Sequence, residues 1–291
     1  MRERDPRGDV SGAGLRGSEG VVVMVMNERA GLSAGLSLDT THVIRESSGV
    51  VAVWKPAGLA TQAPAGIPSA ESWLRRQLHG DNAGGYIGVP HRLDRGVSGV
   101  VLFAATPRAA RKLSLQFERR EIHKTYLAIV ACSDVARETI ERMSIEAVTW
   151  RDMVEKITDE ARARIVPADE PGGREAVTLA RLRCRLPPDR LLLELSPVTG
   201  RMHQLRLQAA ARGLLIVGDD LYGVADEAWM NTPQANTPQT GAAVVPPADD
   251  PRMRPIALHA CRISYADPDT GSEVMIEAAL PTYWPESTRS S

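Results

Sequence analysis

The sequence predicts a single α+β domain, and three observations lead to that class. Short runs rich in Val, Ile and Leu recur along the chain between Gly, Pro and Asp punctuation, the pattern of strands. Three segments among them read as helices. A length of 291 residues, 43% hydrophobic and 24% charged, suits an ordinary globular chain able to bury a large core.

Residues 1–38 are rich in Gly, Ser, Arg and Glu without usable periodicity and read as a flexible leader, or as sequence ahead of a true start at Met24 or Met26. The folded domain is expected over residues 42–283. Residues 42–46 and 50–55 make two strands around the Ser47-Ser48-Gly49 turn, and Lys55-Pro56-Ala57-Gly58 breaks the second. Ser69 caps a short helix carrying Trp73 and Leu74 that ends near His79-Gly80. Residues 100–105 are apolar, continuous and β-branched, hence a buried strand. Thr106-Pro107 then starts a helix, with a capping hydroxyl and proline at the first helical position; Ala110, Leu113 and Phe117 give it one apolar stripe.

A strand is predicted over 122–132, and several short β-like runs over 143–190, separated by Pro167, Pro171-Gly172-Gly173 and Pro187-Pro188. In the next strand, 191–195, Leu191, Leu193 and Leu195 share one side. Pro197-Val198-Thr199-Gly200-Arg201 turns the chain into a helix holding His203, Leu205, Arg206 and Ala209, stopped by Gly213. Residues 226–255 turn to Ala, Thr, Asn, Gln and Pro and are expected to be a disordered insertion. Two strands, 256–265 and 273–279, close the chain around the turn from Asp267 to Gly271.

The formal net charge of −1 gives no global pull toward nucleic acid, and aromatics at 4% leave few rings for stacking. A nucleic-acid partner therefore needs a local basic surface. Cys132, Cys184 and Cys261 are scattered, match no metal or redox spacing, and fit reduced thiols in a cytosol. Nothing approaches the roughly 18 apolar residues of a membrane span. No phosphate-cradling glycine loop or dinucleotide fingerprint appears, so no cofactor is implied, and His91 and His203 lack a third ligand that would make a metal site.

The centre of the chain is His91-Arg92-Leu93-Asp94-Arg95-Gly96-Val97-Ser98-Gly99, a loop feeding the buried strand at 100–105. From Arg92 to Lys124 there are eight basic residues (Arg92, Arg95, Arg108, Arg111, Lys112, Arg119, Arg120 and Lys124) against three acidic ones, a local +5. Read blandly, this is a solvated helix face beside an ion-paired turn; its position beside the loop favours a phosphate-binding surface.

Five segments in this order resemble the RluA-like pseudouridine synthases, which isomerise uridine within RNA. Lys55-Pro56-Ala57-Gly58 resembles the family's opening motif, and His91-Arg92-Leu93-Asp94 its catalytic loop. Lys124-Thr125-Tyr126-Leu127-Ala128 is similar to its lysine-x-tyrosine strand. Thr199-Gly200-Arg201-Met202-His203-Gln204-Leu205-Arg206, continued by Val217-Gly218-Asp219 and Leu221-Tyr222-Gly223, resembles its longest signature, and Leu258-His259-Ala260 with Pro281 its end. Three departures stand out: Gly96-Val97 replace an acidic residue and threonine, Met202 a Thr or Ser, and Gln208 a frequent histidine. The leader is too short and glycine-rich to be the small RNA-binding domain that often precedes the family's catalytic domain.

The resemblance implies a mixed, mostly antiparallel central sheet flanked by helices, a cytoplasmic monomer, and structured ribosomal or transfer RNA as partner. It makes Asp94 the catalytic carboxylate at the ribose C1′, Arg206 the arginine that pairs with and aims it, and Tyr126 the ring against the uracil. Arg92 becomes the side chain that fills the gap left by a flipped nucleotide. Arg95, Arg108, Arg111, Lys112, Lys124, Arg201 and His203 complete the expected RNA-binding set. A catalytically silent RNA-binding relative is the alternative, raised by Gly96-Val97 and Met202. The trio Asp94, Tyr126 and Arg206 counts against it, because a binder does not need all three. A nucleoside hydrolase would need a second carboxylate to activate water, which the motifs do not supply.

Overall fold

The computed structural model describes residues 22–24, 41–80, 84–133, 136–224, 226, 229 and 254–289. In chain order the elements are β1 (Val22–Met24), β2 (His42–Ser47), β3 (Val50–Lys55), α1 (Ala70–His79), β4 (Ser98–Ala104), α2 (Pro107–Glu118), β5 (His123–Cys132) and α3 (Arg137–Ile145). They continue with β6 (Val148–Lys156), β7 (Ala163–Val166), β8 (Arg174–Leu186), β9 (Arg190–Pro197), α4 (Gln204–Ala210), β10 (Leu214–Ile216), β11 (Leu258–Ala266) and β12 (Glu273–Glu277), and a 3-10 turn, Glu286–Thr288, follows.

One sheet runs β2-β3-β4-β11-β5-β9-β8-β6-β7, with β12 beside β11, β1 beside β12 and β10 beside β5. Among the described strands only β1–β12 and β4–β11 pair in parallel. The α+β class with a mixed, mostly antiparallel sheet is therefore the observed one.

The apolar runs of β3 and β4 are continuous because both faces of these strands are covered. Val51, Val53, Val101 and Phe103 pack with Ala70 and Leu74 of α1. Val50, Ala52, Trp54, Val100 and Leu102 pack with Ala109 and Leu113 of α2 on the other side. Helix α2 starts as its sequence dictates, with the Thr106 hydroxyl accepting from the Ala109 N–H. Its buried face also includes Gln116, whose amide exchanges two 2.8 Å hydrogen bonds with the Ala266 backbone.

Several expectations need correction. Helix α3 has no sequence forecast. Its N-cap, Ala136, makes no side-chain capping bond, so the usual start signal is missing. The runs expected over 143–190 resolve into β6, β7 and a single 13-residue strand, β8, whose hairpin into β9 turns at Pro187-Pro188. His203 is the N-cap of α4 rather than a residue within it: its backbone is left-handed (φ 50°, ψ 25°), and its carbonyl accepts the first helical bond from the Leu207 N–H at 2.9 Å. Most of the expected leader lies outside the described residues, but Val22–Met24 within it is a strand of the sheet. Most of the expected insertion at 226–255 also lies outside them. Trp229 within it is buried against Tyr283 and Trp284. Among the described residues no helix is long and apolar enough to cross a membrane.

Candidate functional site

The loop from His91 to Gly99 is held by main-chain bonds to its neighbours. Lys55, at the end of β3, is fully buried, and its ammonium donates to the carbonyls of Pro56 (2.8 Å), Leu59 (2.7 Å) and Arg95 (3.3 Å). Burial pulls its pKa down to about 7, against the opposing pull of the Asp94 charge. The Gly58 N–H donates to the same Arg95 carbonyl at 2.8 Å. The Thr61 hydroxyl donates to the Leu93 carbonyl (2.9 Å) and accepts from the Leu93 N–H (3.0 Å), so Leu93 is pinned at both ends and buried beneath Asp94.

Behind the loop, His91 Nε2 accepts from the Leu102 N–H at 2.8 Å while its ring packs on Phe117; burial drags its pKa down to about 3. His259 Nε2 faces the Ala278 carbonyl at 3.3 Å and therefore donates, which leaves Nδ1 to accept from Ser98 at 2.9 Å. Burial lowers the His259 pKa to about 4. Gly99 has no substitute here: its φ is +120°, and a Cβ would lie 2.3 Å from the Ala260 carbonyl oxygen where β4 meets β11.

The opposite wall is α4, fixed by a chain of buried side-chain bonds. The Thr199 hydroxyl accepts from the Val177 N–H (2.8 Å) and donates to Gln204 Oε1 (2.7 Å). Gln204 Nε2 donates to the Val177 carbonyl (3.0 Å) and the Thr178 hydroxyl (2.9 Å). The Thr178 hydroxyl donates to Gln208 Oε1 at 2.7 Å, and Gln208 Nε2 donates to Asp152 Oδ2 at 2.7 Å. Arg212 pairs with Asp152 at 3.0 Å. Gln208, a departure from the expected histidine, is thus a fully buried member of this network.

Between the two walls lies a cavity of about 110 Å³ lined by Asp94, Tyr126, Arg206, Lys124, His203 and Arg201 among others. Arg206 is 7% exposed and has two carboxylate partners. Its Nη1 lies 3.3 Å from Asp94 Oδ2, while Nε and Nη2 form a fork on the fully buried Asp219 at 2.7 and 2.6 Å. Burial alone would lower the Arg206 pKa, but the bonds and charge of Asp219, with Asp94 adding to them, push it up. The Asp94 side chain is 36% exposed and opens to the cavity. Tyr126 is buried on β5, and burial with the nearby Asp94 charge pushes its phenol up, so it stays protonated. Burial pulls the Lys124 pKa down; its ammonium sits 5.9 Å above the Phe117 ring.

The residues singled out in the sequence divide into two groups. Asp94, Tyr126, Arg206, Arg92, Lys124, Arg201 and His203 line one cavity. Arg95 is half-buried beside it. Arg108, Arg111 and Lys112 are exposed on α2, which packs on the opposite side of the sheet from the cavity's apolar lining, and Arg108 pairs with Asp269 at 2.6 Å. The loop meets α2 at Phe117, nine residues on from Arg108 and roughly 14 Å along the helix axis. The +5 stretch is therefore not one surface.

Sequence reasoning gave no role to Asp219, Tyr222 or Thr61. Asp219 and Tyr222 lie inside the long signature, but no spacing rule ties a carboxylate to an arginine 13 residues earlier across a strand and a turn.

Comparison with known proteins adds four findings. A family model described as RNA pseudouridylate synthase matches residues 49–211. The ribosomal large subunit pseudouridine synthase C of Rickettsia bellii (strain RML369-C) is 30% identical over 255 residues, covering 88% of this chain and 73% of that protein. The tRNA pseudouridine synthase C of Salmonella typhi is 31% identical over 252 residues, covering 84% and 86%. Among solved structures, human RNA pseudouridylate synthase domain containing 4 shares the fold, with a TM-score of 0.58 over 83% of this chain and 89% of that one at 21% identity.

Proposed function

The chain belongs to the family of RNA pseudouridylate synthases and is an RNA pseudouridine synthase; on that premise we propose that it isomerises uridines in ribosomal or transfer RNA with Asp94 as the reacting carboxylate, working as a cytoplasmic monomer. The observation that carries this reading is the meeting of Asp94, Tyr126 and Arg206 around one cavity, with Arg206 Nη1 3.3 Å from Asp94 Oδ2.

In the proposed reaction the bond from uracil N1 to ribose C1′ breaks and the freed uracil turns. Its C5 then bonds to C1′, C5 loses a proton and N1 gains one. Nothing is added to the nucleotide, so no second carboxylate is needed to activate water. Asp94 acts on the sugar, as nucleophile at C1′ or as base. Arg206 aims it, and the fork on Asp219 keeps that guanidinium from swinging away. The protonated Tyr126 ring lies against the uracil.

A base must leave its stack to reach this cavity. Arg92, exposed at the mouth two residues before Asp94, fills the space it vacates. Lys124, Arg201 and His203 line the same cavity, with Arg95 half-buried beside it. Arg108, Arg111 and Lys112 offer a separate surface to phosphates farther along a folded RNA.

Replacing Asp94 by Asn tests the reading directly. Fold and RNA affinity are expected to survive while turnover falls by several orders of magnitude, measured as pseudouridine formed in RNA from cells lacking the protein. Near-normal turnover in that variant would overturn the assignment.

A further inference from the structure

His203, grouped by the sequence with the RNA-binding side chains, turns away from solvent. Its side chain is 11% exposed, and Nε2 lies 3.8 Å from Asp94 Oδ2, the oxygen that Arg206 approaches from another side. Its left-handed backbone (φ 50°) throws the ring back over the cavity instead of along α4. On the far side of the ring, Nδ1 sits 3.1 Å from the Tyr222 hydroxyl, and the two rings meet edge-on at 5.6 Å.

Tyr222 is in turn fixed to the β6–β7 hairpin, its oxygen accepting from the Ala163 N–H at 2.8 Å. The same ring carries the Arg206 guanidinium over its face at 5.3 Å. Both neighbours of Asp94 Oδ2 therefore rest on one side chain. Among the described residues no hydrogen bond reaches Asp94 Oδ1.

The proton on the Tyr222 hydroxyl has two acceptors at 3.1 Å, the Ala163 carbonyl and His203 Nδ1. If the carbonyl takes it, Nδ1 must carry the ring proton, and Nε2 points a lone pair at the Asp94 carboxylate with Asp219 close behind. If Nδ1 takes it, Nε2–H faces Asp94. Two nearby negative charges favour the second arrangement. Burial also lowers the His203 pKa against the pull of Asp94, which keeps the ring neutral at pH 7.

We infer that His203, held by Tyr222, is a positioning residue that aims Asp94 through Nε2–H, an inference that rests on Asp94 being the reacting carboxylate. With Oδ2 taken by Arg206 and His203, Oδ1 is the oxygen presented to the sugar. The 3.8 Å separation tightens into a hydrogen bond when a nucleotide fills the cavity, as catalytic hydrogen bonds do on forming the substrate complex.

The test combines kinetics with histidine 15N shifts. In the free parent protein the shifts should report the tautomer protonated on Nε2. His203→Leu should lower kcat by about 10- to 100-fold with KM within about twofold, and His203→Gln, whose amide donates, should recover part of the loss. Tyr222→Phe should lower kcat less, and should add nothing when combined with His203→Leu, because its hydroxyl acts through Nδ1. An Nδ1-protonated ring, a loss confined to KM, or additive losses in the double variant would overturn the inference. The tautomer is read without RNA, so it tests whether Nε2–H faces Asp94 separately from the Asp94→Asn test of the reacting carboxylate.

Discussion

The two walls of the cavity are built from different materials. The Asp94 wall is a loop tied down largely through backbone groups, among them the carbonyls of Leu59, Leu93 and Arg95 and the N–H groups of Gly58 and Leu93. The Arg206 wall is a helix docked by side chains, from Thr199 through Gln204, Thr178 and Gln208 to Asp152. A wall held by its backbone tolerates change in the side chains it displays, provided the few anchoring groups survive. A wall held by an amide network is exact in its side chains and fails when one is left unpaired. The departures fit this division. Gly96 and Val97 lie on the first wall: Gly96 passes under the Arg254 carbonyl, where a Cβ would come within 2.9 Å, and Val97 is packing. Gln208 lies on the second and uses both ends of its amide.

The comparison breaks most visibly at the bridge between the walls. Asp219→Asn leaves the Arg206 cation, 7% exposed, without its forked partner. A loss of about 3–5 kcal/mol in unfolding free energy is expected, together with a fall in kcat, because Arg206 is no longer held toward Asp94. Chemical denaturation and turnover of the same preparation check both; a normal rate would mean that Asp94 needs no help in holding Arg206.

Acid should act mainly on the backbone-held wall. His91 and His259 have folded pKa values lowered to about 3 and about 4 from an ordinary 6.5. Below pH 6.5 the unfolded chain takes up protons that the folded chain refuses. Their contribution is therefore complete above pH 6.5 and is lost as pH falls toward 4, by about 2 kcal/mol per histidine at pH 5. Unfolding curves at pH 7 and pH 5 should show the drop, and His259→Gln should shrink it by about half.

A matched pair of substitutions sharpens the contrast. Thr61→Val strips Leu93 of both its partners, and Gln208→Leu leaves the Thr178 hydroxyl and the Asp152 carboxylate short of one each. Each should cost about 1–3 kcal/mol. Only Thr61→Val should also depress kcat strongly, since Leu93 adjoins Asp94. Equal effects on kcat would erase the distinction between the walls.

The smallest effect is expected away from both. Neutralising Arg108, Arg111 and Lys112 together should weaken RNA binding modestly and flatten its dependence on salt, by about one unit of log-log slope for each phosphate that these side chains neutralise in the parent. An unchanged slope would show that this face of α2 does not touch RNA.

The strands and capped helices of the first half were legible because local physics sets them. Lys55-Pro56 ends β3, Thr106-Pro107 starts α2, and burial on both faces makes β3 and β4 continuous apolar runs. Helix α3 was not, because it carries no capping bond. In the candidate site, the loop and signature residues were legible as motifs, but their pairings were not. The Arg206–Asp219 fork and the His203–Tyr222 pairing depend on where a helix and a turn come to rest across the sheet. The basic stretch divided for the same reason: Arg92 and Lys124 line the cavity, while Arg108, Arg111 and Lys112 are exposed on α2.

The position of β11 sets an order of events during synthesis. It lies between β4, which follows Asp94, and β5, which carries Tyr126, yet it is made more than 120 residues after either. Until residues 258–266 have left the ribosome, the meander of β2, β3 and β4 and the β5–β9 ladder can each form, but no strand pairing joins them. Strand pairing between the two sides of the cavity therefore waits on a late strand that must slot between partners made much earlier, a contact of long sequence separation and slow to form.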